Sequence, residues 1–304
     1  MAPSIVAALG HIAMALLLPP LLRGVIVRTK ARFAGRVGSP LLQPYYDLIK
    51  LLQKGSVFST TTTLVFRAGP VVGLAAVLVA SLLMPFGAET APISFRGDAI
   101  LFVYLLALAR FSLSIASLDT GSSFEGMGTT RELTFACLAE PALFFGLLVT
   151  SRLSHSLRLS NMLGEAIYQE WQAGGASLVL VLVSWFIVLL AENSRIPFDD
   201  PNTHLELTMI HEVMVLDHSG PALGMILYGA ALKLFLFCAM IVQVLFPLRT
   251  GFLLLDWGLF VAEVLLVAAV IGVIESTLAR LRMTEIPKLL MTACVLSGLG
   301  ILLS

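Results

Sequence analysis

SLVLVLVSWFIVLLAENSRIPFDDPNTHLELTMIHEVMVLDHSGPALGMILYGAALKLFLFCAMIVQVLF, residues 177–246, sets two long apolar runs around a loop, residues 191–220, that holds six acidic side chains. A charge at the centre of a bilayer costs about 2.5–3.5 kcal/mol even on lenient scales. The runs therefore read as membrane-spanning helices. The carboxylates between them read as working groups, because so many charges beside hydrocarbon do not persist as decoration.

The rest of the chain agrees. Of 304 residues, 58% are hydrophobic and 12% charged, against about 25% charged in ordinary soluble domains, and mean hydropathy is +0.95. Crossing the ~30 Å hydrocarbon layer takes about 20 apolar residues. Eight segments qualify: 4–27, 64–86, 98–118, 133–151, 177–191, 222–246, 252–275 and 286–303, the fifth being short. The expectation is an all-α polytopic membrane protein, one integral domain over residues 1–304, with eight tilted transmembrane helices. The first run lacks a basic leader and a small-residue cleavage site, so it is expected to stay as a helix. No internal repeat is visible, which disfavours transporters built from two related halves.

Charge placement orients the bundle. Arg28, Lys30, Arg32, Arg36, Lys50, Lys54, Arg131, Arg195, Arg280 and Arg282 fall in odd-numbered loops, whereas even loops hold Arg96, Arg152, Arg158 and Arg249. The positive-inside rule then places odd loops in the cytoplasm and both termini outside. In the first odd loop, LLQPYYDLIKLLQKG repeats apolar residues near helical spacing, with Asp47, Lys50, Gln53 and Lys54 mostly opposite. That predicts an amphipathic helix lying in the membrane interface, started by Pro40 and Pro44 and ended by Gly55.

Several chemistries are disfavoured. Formal net charge is zero, and no basic stripe for nucleic acid is present. Cys137, Cys238 and Cys294 lie singly in apolar runs, so neither a zinc site nor an iron–sulfur cluster can be built from this chain alone, and the three read as packing residues. The glycine-containing stretch DTGSSFEGMGTTRE, residues 119–132, matches no phosphate-binding fingerprint. It reads as a docking loop carrying Glu125, Arg131 and Glu132.

Ionisable residues inside apolar runs are functional candidates by default: Arg110, Glu140, Lys233, Glu263 and Glu275, with Glu192 at the end of the fifth run. Glu140 precedes Pro141, whose ring removes a helical hydrogen bond and makes room for water beside the carboxyl. Glu206 follows Glu192 by fourteen residues, with Arg195, Asp199 and Asp200 between, so carboxyls are strung from a helix end into the loop. His204, His211 and His218 recur every seven residues. On a helix they would share one face and could shuttle protons near pH 7. A shared metal is disfavoured, because two turns separate neighbours by ~10.5 Å. The plain alternative for the intramembrane charges is fixed ion pairing that only sets helix packing.

At this point the sequence resembles a known family. ARFAGRVGSPLLQPYYDLIKLLQK, LARFSLSIASLDTGSSFEGMGTTREL running into AEP, AENSRIPFDDP with LEL, and ESTLARLRM are similar to the eight-helix membrane subunits of respiratory complex I, subunit 1, and of group 4 membrane-bound nickel–iron hydrogenases. The second and fourth pieces resemble the formate hydrogenlyase and hydrogenase-4 branch. The resemblance implies a non-catalytic anchor and proton-coupling subunit joining a hydrophilic redox arm to antiporter-like membrane subunits in the inner membrane. Implied partners are hydrogenase-like large and small subunits and an iron–sulfur subunit. Those partners would carry the iron–sulfur clusters and the nickel–iron centre, with no cofactor or metal bound by this chain. It implies proton coupling at Glu140, Glu192, Asp199 and Glu206; Asp217, Glu263 and Glu275 extend that candidate set, with Arg110, Arg195 and Lys233 as supporting charges. Arg36, Asp47, Lys50, Arg131 and Arg195 match cytoplasmic-face family positions, and the first four form with Glu125 the expected docking set. Asn202 and His204 replace family glutamates, and Asp217 is displaced relative to Glu206. The alternative is a quinone-binding subunit of a complex I-like NADH/quinone oxidoreductase. A self-contained ion transporter and a purely structural anchor are the remaining readings.

Overall fold

A computed structural model describes residues 5–199, 209–247 and 250–304. Glu206, Asp200, Asn202, His204 and Arg249 lie outside the described residues. Those described form helices, turns and loops, with no strand among them. In chain order the helices are α1 (Ile5–Phe33), α2 (Gln43–Leu52), α3 (Leu64–Leu83), α4 (Asp98–Asp119), α5 (Ser123–Ser154), α6 (Leu159–Met162), α7 (Glu165–Ala173), α8 (Ala176–Glu192), α9 (Gly220–Leu245), α10 (Leu253–Thr277) and α11 (Ile286–Leu303).

Seven of these, α1, α3, α4, α5, α9, α10 and α11, are long and apolar enough to cross a membrane. Their apolar side chains face outward as well as inward, as expected when the surrounding solvent is hydrocarbon. The eighth expected span, α8, has seventeen residues, about 26 Å of helix, and falls short of the ~30 Å layer. The chain is a multi-pass membrane protein.

The long helices alternate in direction. One end of the bundle collects the described segments around residues 34–63, 120–122, 193–199, 209–219 and 278–285, and the other collects 84–97, 155–175, 246–247 and 250–252. At the centre stands α9, whose stretch from Ala231 to Val244 is almost wholly buried. It packs on α1, α2, α3, α8 and α10, while α5, α8 and α11 form a second sector. Small residues set the closest approaches. A Cβ at Gly69 would sit 2.6 Å from Ala116 Cβ and 2.9 Å from the Ser112 carbonyl oxygen, so α3 and α4 touch backbone to backbone there. At Gly146 a Cβ would meet Trp185 Nε1 at 2.1 Å, so the indole of α8 lies against the α5 backbone.

Three sequence expectations change. The glycine-containing stretch is helical rather than a loop: from Ser123 onward it forms the first turns of α5, which runs 32 residues rather than beginning near residue 133. Interspersed Gly and Thr hid the helix, although Gly128, Thr129 and Glu132 turn one face into the bundle. His211 and His218 do not share one helical face, because His211 precedes a short 3₁₀ turn, Glu212–Val215, and His218 follows it, while His204 lies outside the described residues. Cys137 is exposed on α5 rather than packed, while Cys238 is buried.

The first long loop does contain a helix, α2, with Pro44 in its first turn and no fully buried residue. It lies against α1 and α9, where the Tyr45 hydroxyl donates to the Leu17 carbonyl. Tyr46, Ile49 and Leu52, three residues apart, stay exposed.

Candidate functional site

Four helices each contribute a charge to one buried centre. Arg110 on α4 stands between two carboxylates: its Nη2 donates to both oxygens of Glu192, at the end of α8, at 2.5 Å. Its Nη1 donates to Glu140 on α5. Lys233, in the middle of α9, reaches Glu192 Oε2 at 2.9 Å. A guanidinium suits this post, because its planar fork serves two acids on different helices at once. Glu192 is enclosed, whereas the Glu140 side chain keeps 36% of its surface exposed and forms the rim.

A cavity of about 90 Å³ opens beside this centre. Glu132, Asn193, Ser194 and His211 line it together with Arg110, Glu192 and Lys233. The rest of its wall is apolar, with Leu74, Val77, Leu113, Met214 and Ile226 among the lining residues, and the volume accommodates several waters, for which the charged and polar side chains at one side are the available partners. Glu132 is buried, and sequence reading assigned it only to the docking stretch. Its signal was available: Glu132, Ala136, Ala139 and Leu143 recur at helical spacing on the buried face of α5. Three carboxyls, Glu132, Glu140 and Glu192, thus face two cations, Arg110 and Lys233.

A second group sits at the α2 end of the bundle. Glu275 on α10 is fully enclosed and accepts Lys30 Nζ of α1 at 2.8 Å and Arg195 Nη1 at 3.3 Å. Asp199 accepts Arg280 Nη2 at 3.1 Å. Its other oxygen accepts the backbone N–H groups of Ile210 at 3.0 Å and His211 at 3.3 Å. Asp199 therefore ties down the far side of the acidic loop. Arg195 follows the end of α8 by three residues, which places the two groups next to each other along the chain.

The remaining candidates disperse. Glu263 is half-buried on α10, apart from both groups. Asp217 is exposed, and its backbone N–H donates to Glu125 at 3.2 Å. Glu125 is itself buried, accepting also from Thr120, so its carboxylate braces the turn between α4 and α5 and is not presented for docking. Arg131 donates to the Met209 carbonyl at 3.0 Å, whereas Arg36, Asp47 and Lys50 are exposed.

Burial lowers the His211 pKa to about 4, with Lys233 adding to the effect and Asp199 opposing it. Burial likewise brings His218 to about 4, and its ring stacks on Phe66 at 4.0 Å. Both imidazoles are neutral at pH 7, so either takes up a proton near that pH less readily than a free histidine does. Sequence reading also passed over Arg23. This α1 residue lines a second cavity, of about 240 Å³, with Ser39, Gln43, Asp47 and Leu48 beneath α2.

Bundle and centre together define a class: a membrane protein whose interior charges are matched across helices and border a cavity. Residues 4–304 match the model of the NADH dehydrogenase family. The chain belongs to that family, of the complex I subunit 1 type. It is 31% identical to hydrogenase-4 component C of Escherichia coli K12 over 91% of this chain and 88% of that one. It is 32% identical to formate hydrogenlyase subunit 4 of the same organism, covering 89% of each chain. A subunit of the NADH-quinone oxidoreductase of a Polaromonas species is 28% identical over 78% of this chain and 68% of its own length. Among solved structures, a chain of the membrane-bound sulfane sulfur reductase, an archaeal respiratory membrane complex, shares the fold with a TM-score of 0.82 at 19% identity, covering 98% of both chains.

Proposed function

We propose that this chain is the non-catalytic membrane-anchor and proton-coupling subunit of an energy-converting oxidoreductase, a group 4 nickel–iron hydrogenase of the formate hydrogenlyase kind. The observation that carries the reading is the Arg110 centre, with Glu140, Glu192 and Lys233 joined beside a largely apolar cavity that Glu132 also lines. A group that only anchored helices would have no need of a third carboxyl or of space for water. With three carboxyls facing two cations, one proton decides whether the centre is neutral, and charge matching in a low-dielectric interior makes that proton responsive to a nearby change in charge.

In this reading electrons stay in the hydrophilic arm, on iron–sulfur clusters and a nickel–iron centre carried by partner subunits. Redox turnover there shifts the loop tied down by Asp199. Arg195 and Glu275 carry the shift to Glu192, and the proton change passes through Glu132 and Glu140 towards antiporter-like neighbours. Glu206, Asp217 and Glu263 stand as further members of the path. Arg36, Asp47, Lys50 and Arg131 line the docking face. The subunit sits in the inner membrane with α2 in the cytoplasmic interface. In this reading it crosses eight times, with α8 as a short fifth span. Both termini then lie outside.

The test is co-purification of the tagged protein from native membranes in mild detergent, with the large subunit identified by mass spectrometry. A partner with two C-x-x-C nickel-ligand pairs is the expected result, and a partner lacking both overturns the hydrogenase assignment. The cavity beneath α2 favours a second reading, a quinone site, since its polar end at Arg23, Gln43 and Asp47 and apolar wall at Leu48, Leu51 and Leu227 suit an amphiphile. Quinol formation blocked by quinone-site inhibitors would select it.

A further inference from the structure

The end of the bundle opposite α2 holds few cations. Of the chain's 19 lysines and arginines, the described loops and helix ends there carry three, Arg96, Arg152 and Arg158. All three line one cavity of about 480 Å³, together with His155. Arg96, Arg152, Arg158 and His155 are all exposed at its mouth. No carboxylate lines the cavity, and among the described residues none forms an ion pair with these cations. Like charges gathered without a counter-charge repel one another, so an arrangement of this kind points to an anion from outside the chain.

The cavity is built rather than incidental. Asp98, buried at the start of α4, accepts the Leu159 N–H at 2.6 Å and the Phe95 N–H at 3.2 Å. The Gly97 N–H donates to the Leu157 carbonyl at 3.2 Å. These bonds sew the segment bearing Arg96 to the loop bearing His155 and Arg158. Arg152 is held by donation to the Ile301 carbonyl at 2.8 Å, near the end of α11. Below Arg152 on α5, Leu148 one turn earlier and Phe144 and Phe145 about two turns earlier are exposed apolar side chains. A hydrocarbon-facing ladder under a cationic mouth matches a molecule with an anionic head and acyl tails.

We infer that this cavity binds the phosphate of an anionic phospholipid of the leaflet opposite α2, with Arg96, Arg152 and Arg158 as its cationic contacts and the acyl chains running along α5. The guanidinium fork fits phosphate oxygens, and charge-assisted bonds of this kind are about twice as strong as neutral ones. Inorganic phosphate shares the recognised oxyanion but would leave the α5 ladder unused.

Native mass spectrometry of the full chain in detergent tests this with three probes: phosphatidylglycerol, phosphatidylcholine with the same acyl chains, and inorganic phosphate. The expected result is retention of phosphatidylglycerol over phosphatidylcholine by about tenfold or more, the size of effect given by one charge-assisted contact. The double variant R96Q/R158Q should abolish that preference, R96K/R158K should keep most of it, and Arg282→Gln at the other end should leave it intact. Arg152 is spared because its carbonyl contact supports α11. Equal retention of the two lipids, or a preference surviving R96Q/R158Q, overturns the inference. Arginine-dependent phosphate adducts without any lipid preference would overturn the lipid source and assign the cavity to free phosphate.

Discussion

Arg110 joins three helices through two carboxylates, and each replacement there has a distinct consequence. Arg110→Ala removes the shared cation from Glu192 and Glu140. Breaking a buried pair costs about 3–5 kcal/mol, so thermal unfolding of the purified complex should fall accordingly. Arg110→Lys should recover less than half of the loss, since an ammonium cannot serve both acids with the fork geometry. Glu132→Gln is the converse case: with no ion pair among the described residues, it should assemble normally while proton translocation drops at least about tenfold, the order of effect expected for a positioned proton-transfer group. Assembly measured by size-exclusion chromatography and pumping by a pH-sensitive dye separate the two effects. The charged residues of this centre were visible in the sequence as ionisable groups in apolar runs. Glu132 was not, because three glycines just before it read as a loop, and only its spacing to Ala136, Ala139 and Leu143 marks it as helical.

At the scale of elements, the close contacts between α3 and α4 and between α5 and α8 hold Arg110 and Glu192 in register. Gly69→Val would force a branched side chain into the Ser112 backbone and Ala116. Overpacking of this kind typically costs about 1–3 kcal/mol. The expected outcome is a lower unfolding temperature together with partial loss of coupling, as α4 is displaced with Arg110 on it. Coupling unchanged at a lowered unfolding temperature would show that the register of α4 is not critical. The apolar runs made most helices legible, and α4 and α11 match their expected spans almost residue for residue. What stayed hidden was tertiary in origin. The 3₁₀ turn breaks the seven-residue histidine pattern, and α6 and α7 are short pieces without membrane-length hydropathy. Composition gives eight apolar runs, but α8 is short because its end must deliver Glu192 inside the bundle rather than at its surface.

For the whole molecule, the two neutral imidazoles set an acid response. His211 and His218 have folded-state values near 4, below the ~6.5 of an unfolded chain. The unfolded state therefore binds more protons between those values, and stability falls as pH drops from about 6.5 towards 4, levelling below. The loss for enclosed His218 is up to a few kcal/mol, at about 1.4 kcal/mol per pKa unit. His218→Gln should flatten its share of the slope in unfolding temperature measured from pH 8 to pH 4. A slope unchanged in that variant would place the acid sensitivity elsewhere.

The central claim is that the Arg110 centre carries a proton whose movement is tied to redox turnover in partner subunits. The most direct measurement is the number of protons moved per electron pair in inverted membrane vesicles containing the assembled complex, wild type against Glu132→Gln. The account predicts that the variant keeps its redox activity in detergent while the proton ratio collapses in vesicles. An unchanged ratio in a fully assembled Glu132→Gln complex would contradict it.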